Sequence, residues 1–193
     1  MLTKWGTLRI GCLGWGSLIW DPRDLPIQRQ WFQDGPFAPI EFRRKSRDGR
    51  ITLVLDPDAT PVRLLWAHLL LNDLTAARKA LAEREGLTSP NWEKNIGSWQ
   101  QGEPVPTAIL NLSKWADARG LDGVIWTALG PKFDALGLAS AGQIVDYLRS
   151  LRGGIRDKAE HYVRSAPRQI DTAFRRQIEA ALGWSCRDAS DHR

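Results

Sequence analysis

Hydrophobic residues in the first two thirds of the chain occur in short runs, each followed by a turn-forming residue: glycine, aspartate, asparagine or serine. Short apolar runs between turn residues are typical of buried strands. The dipeptide Asp48-Gly49 lies between two of these runs and is a strong hairpin signal. The predicted strands are residues 8–13, 40–45, 51–55, 62–71 and 123–129.

Apolar residues at helical spacing occur between these runs and dominate the last third of the chain. Residues 74–85 contain strong helix formers, follow a suitable cap at Asp73 and stop at Gly86. Residues 91–101 are compatible with either a short helix or a structured loop. The predicted helices are residues 74–85, 107–118, 141–151, 155–165 and 172–182, and the pair Gly153-Gly154 and then Pro167 separate the last three.

This order of elements favours an α+β fold over a doubly wound α/β sheet, because strands come first and helices dominate the end. The chain has 193 residues, of which 42% are hydrophobic, and this suits one globular core. We therefore predict a single domain over residues 1–184, including the C-terminal helices. The polar residues 185–193 are predicted to form a flexible tail.

The cysteine content and the apolar runs indicate the cellular compartment in which the protein is expected. Cys12 and Cys186 lie near opposite ends of the chain and form no metal-ligand spacing, which favours a reducing environment without disulfides. The apolar run at 10–20 is interrupted by glycines and lacks a signal-peptide cleavage site. The run at 64–71 is far shorter than a membrane span of about 20 residues. These features predict a cytoplasmic protein, with Cys12 as a core residue and not a nucleophile.

A net charge of +5 and ten tryptophans raise the alternative of a nucleic-acid-binding domain. The basic residues are spread along the chain, however, and no aromatics alternate with them on a predicted strand. We therefore expect tryptophans that line the core and no nucleic-acid partner.

The turn after the first strand is the strongest candidate for a binding site. It consists of Gly14, Trp15, Gly16, Ser17 and Leu18. Glycines adopt positive φ readily, so several backbone N–H groups can face one anion, and the serine adds a hydroxyl. The spacing differs from dinucleotide and P-loop motifs. A tight turn with packed tryptophans is the other interpretation of the same residues.

The run of residues 14–18 resembles the substrate loop of the γ-glutamylcyclotransferases. In that family Tyr-Gly-Ser-Leu often follows a glycine and often precedes an apolar residue and a tryptophan, here Ile19 and Trp20. Trp15 stands where the family usually has tyrosine. The aromatic ring is therefore retained, while the phenolic hydroxyl is lost.

The resemblance continues through about the first half of the chain. Residues 41–46 are similar to the basic strand that follows the loop in the family. The family places its catalytic glutamate at the end of a helix, commonly just before glycine or alanine. By position Glu85 is that residue, with Glu83 as the neighbouring alternative and Glu41 as the distant one.

The resemblance implies a small twisted mixed sheet, partly closed into a barrel and flanked by helices. It also implies an activity, the cyclisation of a γ-glutamyl amine or peptide to 5-oxoproline. Glu85 would act as general base and then general acid. The turn would hold the substrate α-carboxylate, and Arg43, or Arg44 on the opposite face of the strand, would meet a substrate carboxylate.

No metal or cofactor is implied, and the expected partner is the small γ-glutamyl substrate, with a homodimer left open. The first alternative to the enzyme is a non-catalytic binder of anionic small molecules on the same fold. Nucleic-acid binding is the second alternative.

Overall fold

The computed structural model describes residues 7–88, 90–134 and 137–187. Along them lie the strands β1 (Ile10–Gly14), β2 (Phe37–Lys45), β3 (Ile51–Leu55), β4 (Pro61–Arg63), β5 (Leu65–His68), β6 (Ile96–Gln100) and β7 (Gly123–Thr127). The helices are α1 (Leu74–Arg84), α2 (Leu112–Asp117), α3 (Ala141–Ser150), α4 (Gly153–Ser165) and α5 (Ala173–Leu182), and a short 3-10 helix covers Trp92–Asn95.

The chain divides into two compact units, each assembled from separate segments. The first unit contains Met1–Gly14, Pro22–Pro36 and Leu64–Ala128. The second unit contains Trp15–Asp21, Phe37–Arg63 and Leu129–Arg193.

The first unit is built on a four-stranded mixed sheet in the order β5-β1-β7-β6. Strand β1 is antiparallel to β5 and parallel to β7, and β7 is antiparallel to β6. Helix α1 packs on β6 and β7 and buries Ala77 and Leu81. At Gly97 a side chain would have its Cβ only 2.1 Å from the Trp126 ring. This close approach explains a glycine in the middle of β6.

Four described tryptophans of the first unit are buried, Trp66, Trp99, Trp115 and Trp126, and three of them donate their indole N–H groups to partners. Trp99 donates to the Glu103 carbonyl at 3.1 Å. Trp66 donates to the Asp34 carboxylate and Trp115 to the Asp34 carbonyl, both at 2.8 Å. The prediction that these tryptophans are core residues is confirmed.

The second unit contains a three-stranded antiparallel sheet in the order β3-β2-β4. The Asp48-Gly49 turn joins β2 to β3 as predicted, with Gly49 at φ 84°. Helix α5 packs on β2 and on α3, and α4 packs on β3. Buried apolar residues of this unit include Ile40, Phe42, Ile51, Leu148, Val163 and Ile178.

Three predicted elements differ from the structure. The strand predicted at 62–71 is two short strands, because β4 pairs with β2 and β5 pairs with β1. Of the helix predicted at 107–118, only Leu112–Asp117 is helical, as α2. Asn111, which precedes α2, is in the left-handed region at φ 55°. The ambiguous segment 91–101 contains the 3-10 helix and then β6.

The α+β class is confirmed. Within each unit the described sheet has two edge strands, β5 and β6 in one and β3 and β4 in the other, so neither closes into a barrel. Among the helices described, none has the length and apolar character required to cross a lipid bilayer. The single-domain boundary at 184 stays a prediction, and most of the predicted tail, residues 188–193, lies outside the described residues.

Candidate functional site

Glu85 is the residue at which α1 ends. Asp73 caps the start of this helix by accepting the Ala76 N–H at 2.7 Å. At the end, the Gly86 N–H donates to the Glu83 carbonyl and the Leu87 N–H to the Ala82 carbonyl. This is the Schellman arrangement, which needs a left-handed residue, and Gly86 supplies it at φ 68°. The sequence Glu-Gly therefore fixes where the helix stops and where the glutamate lies.

The Glu85 carboxylate is held inside the first unit, and its side chain is only 18% exposed. Its Oε1 accepts a hydrogen bond from Arg84 Nη1 at 2.7 Å and another from Thr127 Oγ1 at 3.2 Å. Arg84 is 4% exposed, so this is a partly buried ion pair. Among the described residues no hydrogen bond is made to Oε2. Glu83, by contrast, is exposed.

Arg23 supports the same helix end. Its Nη1 donates to the Arg84 carbonyl at 2.9 Å, one of the carbonyls that the end of a helix leaves without an intrahelical partner. Arg23 is one of the few non-glycine residues at positive φ, with a value of 53°. A left-handed conformation costs a non-glycine residue about 1 kcal/mol, so the surrounding contacts must stabilise it.

Cys12 on β1 is fully buried in the first unit. Burial, the largest cause, and the negative charge of Glu85 together raise the pKa of the Cys12 thiol to about 12, although the positive charge of Arg84 opposes the rise. A thiol with such a pKa is not ionised at neutral pH and is a poor nucleophile. The prediction that Cys12 is a core residue is confirmed.

The glycine-rich turn lies in the second unit from Trp15 onward, while Gly14 is the last residue of β1 in the first. Trp15 is buried and donates its indole N–H to the Leu53 carbonyl at 3.3 Å. Neither Gly14 nor Gly16 adopts positive φ, so that expectation is wrong. Gly16 is needed for a different reason, since a Cβ there would lie 2.5 Å from the Tyr162 hydroxyl oxygen.

The backbone of this turn leaves donors available. The Ile19 N–H donates to the Gly16 carbonyl at 3.0 Å and the Asp21 N–H to the Ser17 carbonyl at 2.8 Å. Within the part of the chain that the structure describes, the N–H groups of Gly16 and Leu18 make no hydrogen bond. Gly16 and Leu18 are both buried. Buried N–H groups without a partner are rare and are suited to an anionic ligand.

Arg43, the predicted contact for a substrate carboxylate, already has two acidic partners in the second unit. Its Nη1 lies 2.8 Å from an Asp56 oxygen and 3.3 Å from an Asp58 oxygen. The hydrogen bond to Asp56 raises the pKa of Arg43. Arg44 donates to the Gly130 carbonyl at 2.8 Å, and burial lowers its pKa. A role of Arg43 in substrate binding stays a prediction.

Glu41, the distant alternative to Glu85, is 3% exposed and fully engaged in the second unit. Its Oε1 accepts the Phe42 N–H at 2.8 Å and the Thr172 hydroxyl. Its Oε2 accepts the Phe174 N–H at 3.1 Å. Glu41 thus joins β2 to the first turn of α5.

Sequence reasoning did not find Thr127, Tyr162 or Thr172. Thr127 and Glu85 are 42 residues apart, and Thr172 and Glu41 are 131 residues apart. The only available signals were local: Thr127 belonged to a predicted strand, and Thr172 stood at the start of a predicted helix, where threonine is a common cap.

Glu85 belongs to the first unit, and Trp15 to Leu18 with Arg43 belong to the second. Their roles in one reaction stay a prediction. No cluster of three or more His, Cys, Asp or Glu residues suited to a metal ion occurs in the ranges that the structure describes. Comparisons with protein-family models, with curated proteins and with solved structures found no match to this chain.

Proposed function

We propose that this chain is a γ-glutamylcyclotransferase-like enzyme that releases 5-oxoproline from a γ-glutamyl amine or peptide. Glu85 is the acid/base, and the turn formed by Gly14, Trp15, Gly16, Ser17 and Leu18 binds the substrate, with Arg43 as a further contact. The proposal includes what accompanies this activity in the family: a cytoplasmic location and a small-molecule substrate.

The reaction needs one group that first accepts and then donates a proton. The substrate α-ammonium gives a proton to the Glu85 carboxylate, and the free amine attacks the γ-carbonyl carbon. A carbon–nitrogen bond forms and closes the five-membered ring. The bond to the departing amine then breaks, and that amine takes the proton back from Glu85. The ring nitrogen also gives up its second proton, and the departing amine ends as an ammonium ion. The products are therefore neutral-nitrogen 5-oxoproline and that ammonium ion, so atoms and charges balance without a cofactor.

The observation that carries the proposal is the state of the Glu85 carboxylate. A glutamate at a helix end is usually solvated, but this side chain is 18% exposed and is held by two donors. Its cationic partner is Arg84, whose Nη1 lies 2.7 Å from Oε1. Its second oxygen has no hydrogen-bond partner in the described residues, so it is available to a substrate.

The backbone of the turn supports the binding half of the proposal. The N–H groups of Gly16 and Leu18 are donors without acceptors among the described residues, and an α-carboxylate has oxygens to satisfy them. Holding that carboxylate restricts the substrate to fewer conformers. In a cyclisation this restriction supplies a large part of the rate enhancement.

The test is an assay of the purified chain with a panel of γ-glutamyl dipeptides, γ-glutamylamines and glutathione, with 5-oxoproline measured by mass spectrometry. The wild type should release 5-oxoproline from at least one compound. Glu85→Gln should lower the rate by about 100-fold or more, because a general acid–base contributes on this scale. The matched control Glu83→Gln, at an exposed position, should stay within about twofold. Equal rates of 5-oxoproline release by Glu85→Gln and the wild type would show that Glu85 does not transfer the proton.

A non-catalytic binder of small anions is the second candidate, and the contacts of the turn give it a specific basis. The Trp15 indole N–H is used by Leu53 and Arg43 Nη1 is paired with two aspartates, whereas the backbone N–H groups of Gly16 and Leu18 have no acceptor among the described residues. Such a site can hold an anion without turning it over. Thermal-shift measurements with the same panel separate the candidates: stabilisation without 5-oxoproline would favour the binder.

A further inference from the structure

The two oxygens of the Glu85 carboxylate have different surroundings. Both of the hydrogen bonds to this carboxylate end on Oε1, one from Arg84 and one from Thr127. Oε2 has no partner in the described part of the chain. A carboxylate held in this way offers one defined oxygen for proton transfer.

The two donors differ in the element from which they hold the Glu85 carboxylate. Arg84 is the last residue of α1 and directly precedes Glu85, so their ion pair joins two consecutive residues. Thr127 is the last residue of β7, which has β1 on one side and β6 on the other. Its backbone is held in register opposite Ile96. A β-branched side chain also has few rotamers, so its hydroxyl is a rigid donor.

We propose that Thr127 is a positioning residue for Glu85: its hydroxyl holds Oε1, so that Oε2 takes the proton from the substrate amine and returns it to the departing amine. This inference rests on the proposed function. Without the Thr127 hydroxyl, only Arg84 would hold the carboxylate, and the group could rotate about its last side-chain bond. The oxygen that faces the substrate would then no longer be fixed.

The first experiment compares Thr127→Val, which keeps the shape and loses the donor, with Thr127→Ser, which keeps the donor. We expect Thr127→Val to lower kcat about tenfold, the scale of a lost hydrogen bond to a charged group, with KM within about twofold. The acid limb of its rate profile should move to higher pH, because the ionised carboxylate has lost a donor. Thr127→Ser should recover most of kcat. An unchanged profile in Thr127→Val, or equal losses in both variants, would overturn the inference.

The second experiment does not depend on turnover. Protein labelled with ¹³C at the glutamate carboxyl carbon is titrated by NMR, and the Glu85 signal is assigned by its absence in Glu85→Gln. The midpoint of this signal should move to higher pH in Thr127→Val and stay close to the wild type in Thr127→Ser. If the wild type released no 5-oxoproline, the proposed function would fail, but this shift would still report the hydrogen bond. An unmoved midpoint in Thr127→Val would overturn the role of Thr127 whatever the activity.

Discussion

Glu85 in the first unit and Glu41 in the second each accept a hydrogen bond from a threonine hydroxyl, and yet their surroundings differ. Glu41 is buried at the start of a helix, and both of its oxygens have partners. Glu85 lies at the end of a helix beside an arginine, and only Oε1 has partners among the described residues. The two glutamates therefore differ in the number of acceptor sites in use: both oxygens of Glu41 are paired, whereas Oε2 of Glu85 has no partner in the described residues.

The charge environment separates the two residues further. Burial raises the pKa of Glu41, the hydrogen bonds from Thr172, Phe42 and Phe174 oppose this in part, and the charge of Asp56 adds to the rise. No lysine, arginine or histidine among the described residues forms an ion pair with Glu41, whereas Glu85 has Arg84. Under the proposed function, burial alone is a poor guide to a catalytic role, since Glu41 is the more deeply buried of the two carboxylates.

The largest effect on stability is expected from Glu41→Ala. This change leaves the Thr172 hydroxyl and the Phe174 N–H without their acceptor and opens a cavity between β2 and α5. We expect the free energy of unfolding to fall by about 3 kcal/mol, measured by urea denaturation. Glu83→Ala, at an exposed position, should change it by less than about 0.5 kcal/mol. A loss below about 1 kcal/mol for Glu41→Ala would contradict the structural role.

A smaller effect is expected from Gly16→Ala in the turn. The added Cβ would lie 2.5 Å from the Tyr162 hydroxyl oxygen but 3.5 Å from the ring carbon that carries it. We expect a loss of about 2 kcal/mol, the scale of overpacking in a well-packed site.

Tyr162→Phe supplies the matched control, because it removes the clashing oxygen. In that background Gly16→Ala should cost at least about 1 kcal/mol less than in the wild type, which a double-mutant cycle measures. Strictly additive costs would show that the close approach to Tyr162 is not the reason for glycine at position 16.

The smallest effect concerns the dependence of stability on pH. The pKa of Glu41 is raised in the folded chain, so the folded chain binds more protons than the unfolded one between the ordinary value of 4.5 and the raised value. The stability that this group contributes is present below the ordinary value and is lost as pH rises through the folded pKa. Glu41→Gln does not titrate. The free energy of unfolding of the wild type minus that of Glu41→Gln should therefore be larger at about pH 4 than at about pH 7. A difference in free energy of unfolding that increases towards neutral pH would contradict a raised pKa of Glu41.

Local signals in the sequence predicted much of the fold. The strand Ile51–Leu55 lies where predicted, the Asp48-Gly49 turn joins β2 to β3, and α1 starts after Asp73 and stops before Gly86. These features depend on neighbouring residues, which a sequence pattern contains directly. The position of Glu85 at a helix end was predictable for the same reason.

Features that depend on distant pairing were not predictable. Strand β6 exists because it pairs with β7, and its Gly97 is explained only by the Trp126 ring. The division of residues 62–71 into two strands depends on different partners for each half. The hydrogen bond from Thr127 to Glu85 joins residues that no local pattern connects.

The most direct test applies the same substitution, glutamate to glutamine, at positions 85 and 41 and measures 5-oxoproline release per folded molecule. The folded fraction comes from circular dichroism. We expect Glu85→Gln to lose about 100-fold or more and Glu41→Gln to stay within about twofold of the wild type. A Glu85→Gln variant that releases 5-oxoproline at the wild-type rate would contradict the claim that this carboxylate transfers the proton.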